Sequence, residues 1–238
     1  MPLSERRSRN RVKLTRKDLK TPDEFLTLTG HLLSVASDHV RVISVAASAI
    51  VGSILIVWGL MYYFDRAQEE AFAALFPIEA HLRAVETSDA TPLIFVDQLR
   101  QIAQRFGAGE ARGYAHLYLG HVYYRKGDDP AALAAYQQAL VQAKHERILW
   151  PLATLGVGYT LEAAGDLKGA QEAYQRVIDA NSAGFVLEAY MGKGRAAEGR
   201  NDLESAIAIY SEVAAKFPLQ AEARGIAEKV AALKARKS

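Results

Sequence analysis

The sequence predicts an all-α protein in which one N-terminal transmembrane helix precedes a solenoid of helical hairpins. Three observations lead there. An uncharged apolar run fills positions 42–64. Downstream, an alanine followed four residues later by a tyrosine recurs in register, at Ala132/Tyr136, Ala170/Tyr174 and Ala206/Tyr210. No segment shows the apolar–polar alternation of a half-buried strand.

Composition sets the outer bounds. A chain of 238 residues makes one or two folded units. Half of its residues are hydrophobic, but part of that share is concentrated in the one run. Cysteine is absent, which excludes disulfides, thiolate metal sites, cysteine nucleophiles and a lipidated-cysteine anchor. The net charge of +2 hides an asymmetry. Residues 1–41 hold nine Lys/Arg against five Asp/Glu, whereas residues 65–238 hold 20 against 22. The large domain is therefore mildly acidic, opposite to the bias of a nucleic-acid-binding domain, and no nucleic-acid partner is expected.

Residues 1–20 carry Arg6, Arg7, Arg9, Arg11, Lys13, Arg16, Lys17 and Lys20 with few large apolar side chains. That composition predicts a disordered basic tail able to touch anionic lipid. Thr21-Pro22-Asp23-Glu24 is a helix start: a threonine cap, proline in the first turn, then acids. Phe25, Leu26, Leu28, Leu32, Leu33 and Val35 follow, so 21–39 reads as a short amphipathic helix on the membrane surface or against a partner.

The run 42–64 is bounded by Arg41 and by Asp65-Arg66. At ~1.5 Å per residue it makes roughly 34 Å of helix, enough to cross a hydrocarbon core of about 30 Å. Ser44, Ser48 and Ser53 can return their hydroxyls to helix carbonyls, and Trp58, Tyr62 and Tyr63 gather where an aromatic belt is expected. The run is too long and begins too late for a cleaved signal peptide. Upstream basic residues outnumber the two that follow closely, Arg66 and Arg83, which places the N-terminus in the cytoplasm and the large domain outside it. Ser48 and Gly52 form a small-xxx-small pair that allows contact with other membrane helices.

Beyond the span, residues 65–74 are expected to extend the helix as a stalk. A short helix is expected at 78–85 and another at 93–106, the latter stopped by Gly107 and Gly109. Three units then share one pattern. Each has a glycine in its first helix (Gly120, Gly158, Gly194) and a turn residue followed by aspartate (Gly127-Asp128, Gly165-Asp166, Asn201-Asp202). The Ala/Tyr pair comes next. Small residues let helices approach closely, and the aromatic fills the space between units. A single amphipathic helix over 220–235 would close the stack, its basic end suiting a helix C-terminus.

This pattern resembles the tetratricopeptide repeat, whose signature is a large residue, Leu-Gly, Tyr, then Ala, an aromatic and Pro over ~34 residues. Here the alanines are 38 and 36 apart, the large position holds His116, Thr154 and Tyr190, and Pro218 alone closes a unit. The predicted organisation is a tail (1–20), an amphipathic helix (21–39), a span (42–64), and a stalk with an atypical hairpin (65–110). Repeats then fill 111–218 as 111–146, 150–182 and 186–218, and a cap takes 219–238. The layout resembles the inner-membrane-anchored tetratricopeptide-like family that includes the ancillary subunit of the bacterial Sec translocon. That resemblance implies a periplasmic, chaperone-like scaffold.

No histidine pair stands at i,i+4, and no phosphate loop, nucleophile elbow or dinucleotide fingerprint occurs. No catalytic residue, metal site or cofactor is expected, and an enzyme is not predicted. The resemblance implies that the first helices of the hairpins line a partner groove. By register that face holds Tyr114, Leu117, His121, Tyr124 and Arg125, then Leu152, Leu155, Tyr159 and Glu162, then Met191, Arg195 and Glu198. Its mixture of aromatic, aliphatic and charged groups suits an unfolded or extended polypeptide. The expected partners are thus a protein and the lipid bilayer. The alternative is a structural subunit of a larger envelope complex, a secretion or pilus system, held through its membrane helix.

Overall fold

The computed structural model describes residues 40–84, 94–106, 109–143 and 146–237. The tail 1–20 and the amphipathic segment 21–39 lie outside these. Among the described residues every regular element is an α-helix and none is a strand. The chain divides into two units, Met1–Tyr62 and Tyr63–Ser238.

The first unit is described from Val40, where helix α1 (Val40–Ala84) begins. A stretch of it, Val40–Leu82, is long and apolar enough to cross a membrane. Val42, Ile50, Leu55 and Trp58 are exposed, as lipid-facing side chains would be in an isolated chain. Ser44 and Ser53 hydroxyls donate to the carbonyls of Arg41 and Ala49 at 2.9 and 2.8 Å, which hides their polarity within the helix. Trp58 and Tyr62 stack with centroids 6.2 Å apart.

The second unit is a stack of hairpins. Its first helix is the C-terminal part of α1, which runs unbroken through the segments expected as a stalk (65–74) and a separate short helix (78–85). Pro77 lies inside α1 without ending it. Ala71, Leu75, Ile78 and Leu82 form one buried stripe that runs past the proline, while Pro77 itself is exposed. An interior proline costs about 3 kcal/mol. Burying three large aliphatic side chains at about 1.5–3 kcal/mol each outweighs that, and Ala73, whose carbonyl loses its helix donor to the proline, is exposed. Helix α2 (Ile94–Arg105) packs Val96, Leu99, Ile102 and Ala103 against this stripe, with Ala111, Ala115, Leu119 and Val122 of the next helix completing the cluster.

Three hairpins follow: α3 (Glu110–Arg125) with α4 (Asp129–Gln142), α5 (Leu149–Ala163) with α6 (Leu167–Asp179), and α7 (Val186–Gly199) with α8 (Leu203–Lys216). The same local chemistry begins each second helix. Gly127, Gly165 and Asn201 adopt positive φ (71°, 83° and 57°) to turn the chain. Asp128, Asp166 and Asp202 then cap the helix, accepting from the backbone N–H of Ala131, Gly169 and Ser205 at 3.2, 2.9 and 3.1 Å.

Ala132, Ala170, Ala206 and the tyrosines Tyr136, Tyr174 and Tyr210 are buried. Each of the first two tyrosine rings lies between two glycines. Tyr136 fills the space over Gly120 of its own hairpin and Gly156 of the next, and Tyr174 does the same over Gly158 and Gly192. A Cβ at Gly120 or Gly158 would stand 2.5 Å from the ring, so glycine is what lets the helices close on the aromatic.

The expected single closing helix is two helices, α9 (Pro218–Ala223) and α10 (Ile226–Lys237). Gly225 between them has φ 60°. The bend brings Ala221, Ile226 and Leu233 together against Tyr190, Ile209, Tyr210 and Val213, a burial that one straight helix would not allow.

Candidate functional site

The first helices α3, α5 and α7, with the C-terminal part of α1, present one continuous face. Its geometry differs between its two halves.

The N-terminal half is an open cavity of about 740 Å³. Tyr114, Leu117, His121, Tyr124 and Arg125 of α3 and Leu152 of α5 line it, together with Phe72, Phe76, Glu79 and Leu82 of α1 and with Glu110, Tyr118 and Ile148. Six of the twelve groove residues read from the sequence therefore converge here. Leu117 contributes from within the core, and Tyr124 is 37% exposed. The α1 residues have no counterpart in the sequence reading, which assigns 65–74 and 78–85 to separate segments. Their signal was the 71-75-78-82 spacing, which crosses the proline unbroken. Phe72 meets Tyr114 edge-on at 5.9 Å, and Tyr114 lies 6.2 Å from Tyr118. His121 stands edge-on to Tyr136 at 5.6 Å. Burial, and then the charge of Arg125, hold the His121 pKa down at about 4, so the imidazole is neutral at physiological pH. The Arg125 guanidinium donates to the Leu82 carbonyl at 3.1 Å, tying α3 to the end of α1.

The C-terminal half is closed by paired charges. Arg195 of α7 reaches Glu162 of α5 with two hydrogen bonds of 3.0 and 3.1 Å, and the Tyr174 hydroxyl donates to the same carboxylate at 2.7 Å. Glu198 accepts from the Tyr210 hydroxyl at 2.5 Å and pairs with Lys229 at 2.8 Å. Glu188 accepts from Tyr159 and from Arg224, both at 3.2 Å. Glu212 accepts from Tyr190 and pairs with Lys216, both at 2.7 Å. Four glutamates thus each hold one phenol and one cation. Burial and then the Glu162 hydrogen bond push the Tyr174 pKa well above the ordinary phenol range. Burial alone would lower the Arg195 pKa, but the Glu162 hydrogen bonds and charge raise it beyond the usual guanidinium value. Arg195 also lies over the Tyr159 ring at 5.7 Å.

Tyr159, Glu162, Arg195 and Glu198 are therefore joined to neighbouring helices. Met191 is half-buried beside the α8 cluster, and Leu155 is buried in the core with Tyr174. Their counterparts in the first hairpin show why the halves differ. The position four after the packing glycine is Tyr124 in α3, Glu162 in α5 and Glu198 in α7. No group of three or more His, Asp or Glu suited to a metal ion occurs among the described residues.

Residues 96–146 and 157–221 match the tetratricopeptide repeat family. The match runs from the start of α2 into α9, so the hairpins follow the tetratricopeptide pattern. It is interrupted over 147–156, in the first turns of α5 and the loop before them. No curated protein matches the chain. The tetratricopeptide stack is a protein–protein interaction scaffold.

Proposed function

We propose that this chain is a membrane-anchored tetratricopeptide scaffold that holds a polypeptide or an assembly partner outside the cytoplasm, chaperone-like and close to the protein-export machinery. The open aromatic cavity at the N-terminal half of the groove carries the reading. Phe76, a large apolar side chain, is 72% exposed there. Anchoring is supported by the uncharged apolar stretch of α1, and the extracytoplasmic placement by the basic residues ahead of it. The export setting rests on the layout shared with the anchored family that includes the ancillary Sec subunit.

The test is a photo-crosslinking amino acid at Tyr124 in living cells, compared with one at Val141, which is exposed on α4. A discrete adduct at Tyr124 that is absent at Val141 is expected. Equal labelling of the two sites would defeat the reading. Because the chain lacks cysteine, Leu219→Cys provides a single thiol on an exposed side chain. A membrane-impermeant maleimide should label it from outside the cytoplasmic membrane.

A second reading is a structural subunit of a larger envelope complex. Its support is the exposed apolar surface of α1 before Tyr62, where a Cβ at Gly52 meets nothing within 4 Å. Replacing the span with an unrelated membrane helix abolishes function under this reading and is tolerated under the first.

A further inference from the structure

We propose that the cavity between α1, α3 and α5 takes an apolar side chain of an extended polypeptide whose neighbouring residues are lysine or arginine. This rests on the scaffold reading above and names the chemistry of the partner.

The apolar part follows from the walls. Phe72, Phe76, Tyr114 and Leu152 surround a space of about 740 Å³, within the roughly 300–1,000 Å³ of sites that enclose small ligands and side chains. Leu75, which forms the cavity floor, and Ile78 belong to the buried stripe of α1 in the hairpin core. Tyr114 packs partly on the core, whereas Phe76 is left 72% exposed by the fold.

The basic part follows from charge. Glu110 lines the cavity at the start of α3. Burial, and then the nearby Glu146, raise the Glu110 pKa. Tyr114 is raised by burial and then by Glu110, Glu146 and Glu79 in turn, with no cation among the causes. Neither Glu110 nor Glu146 has an ion-pair partner among the described residues. The downstream carboxylates Glu162, Glu188, Glu198 and Glu212 each hold a cation from their own chain. At the opposite end of α3, Arg125 keeps its charge but is held away from Glu110 by its bond to the Leu82 carbonyl, and His121 is neutral. The α3 macrodipole places only about half a positive charge at the helix start, against the carboxylates gathered there. A lysine or arginine beside the inserted apolar residue would supply what the C-terminal half of the groove already contains. An anionic lipid headgroup or a nucleic acid would meet repulsion instead.

The experiment uses the full chain in phosphatidylcholine nanodiscs, with anisotropy of short fluorescent peptides. One peptide carries phenylalanine flanked by lysines, a second phenylalanine flanked by glutamates, and a third alanine flanked by lysines. The lysine-flanked phenylalanine peptide should bind roughly five- to tenfold tighter than the glutamate-flanked one at low salt, and less so at high salt. It should also bind tighter than the alanine peptide. Glu110→Gln with Glu146→Gln should erase the preference for lysine. Phe76→Ser, at an exposed position, should weaken both phenylalanine peptides. If lysine- and glutamate-flanked peptides bind alike yet still respond to Phe76→Ser, the proposal is overturned and the scaffold reading stands. Binding that ignores Phe76→Ser also overturns it, since the site is then elsewhere. If no peptide binds above an empty disc, the scaffold reading falls as well.

Discussion

The two halves of the groove face are built at the same repeat positions and reach opposite ends. Around α3 those positions hold His121 and Tyr124, and the face stays open. Around α5 and α7 they hold Tyr159 with Glu162 and Arg195 with Glu198, and the face is sealed by hydrogen bonds within hairpins (Tyr174–Glu162, Tyr210–Glu198) and between them (Tyr159–Glu188, Arg195–Glu162). The difference shows that repeat packing and surface chemistry vary independently. The glycine–tyrosine–alanine contacts recur throughout the stack, while one substitution per repeat decides whether a hairpin binds its neighbour or leaves a cavity. A carboxylate there is useful only because a buried phenol and a cation converge on it.

The comparison can be broken most severely at the packing they share. Gly192→Leu places a side chain against the Tyr174 ring, where even a Cβ would clash. It should destabilise the repeat domain by about 3 kcal/mol or more, an overpacking effect. Gly59→Leu in the first unit meets nothing within 4 Å and should leave the thermal midpoint of the repeat domain unchanged. A similar drop in both would mean that the rings do not set the helix spacing.

The open half carries an acid sensitivity that the closed half lacks at the same position. His121 has a pKa of about 4 in the fold against 6.5 in the free side chain. Between those values the unfolded chain takes up a proton that the folded chain refuses. The contribution of His121 is thus intact above about pH 6.5 and is lost as pH falls toward 4, by up to about 3 kcal/mol. Thermal midpoints across that window should fall more steeply for the native chain than for His121→Gln. Parallel curves would remove the histidine from the account.

The smallest effect belongs to the closed half. Arg195→Met leaves Glu162 with Tyr174 alone, and both partners of the ion pair are partly exposed. A loss of about 1 kcal/mol is expected, shrinking as salt rises. The more telling readout is binding. If the second half is closed because its charges are paired, Arg195→Met should allow basic peptides to engage Glu162. Unchanged peptide binding would argue that shape, not pairing, closes it.

The features legible in the sequence were those set by local physics. The charge-free run at 42–64 is a property of composition over adjacent residues. The hairpin turns were readable because a left-handed residue followed by aspartate determines both the turn and the next helix start within five residues. The repeat itself was readable because close helix approach demands glycine and alanine at fixed spacing from an aromatic. The groove face was legible as a register but not as two halves. Tyr124 and Glu162 occupy equivalent positions, and only their surroundings differ.

Those surroundings were decided by residues far away in the chain. The buried stripe of α1 carries the helix through Pro77 and delivers Phe72 and Phe76 to the cavity, because packing energy over several side chains exceeds the cost of one proline. Gly225 bends the C-terminus so that Arg224 and Lys229 reach Glu188 and Glu198. The sequence by itself therefore determined the elements, their turns and their spacing, since each depends on neighbours within one or two helical turns. The tertiary structure alone decided which part of the face is open, because that depends on where helices distant in sequence place their charges and rings.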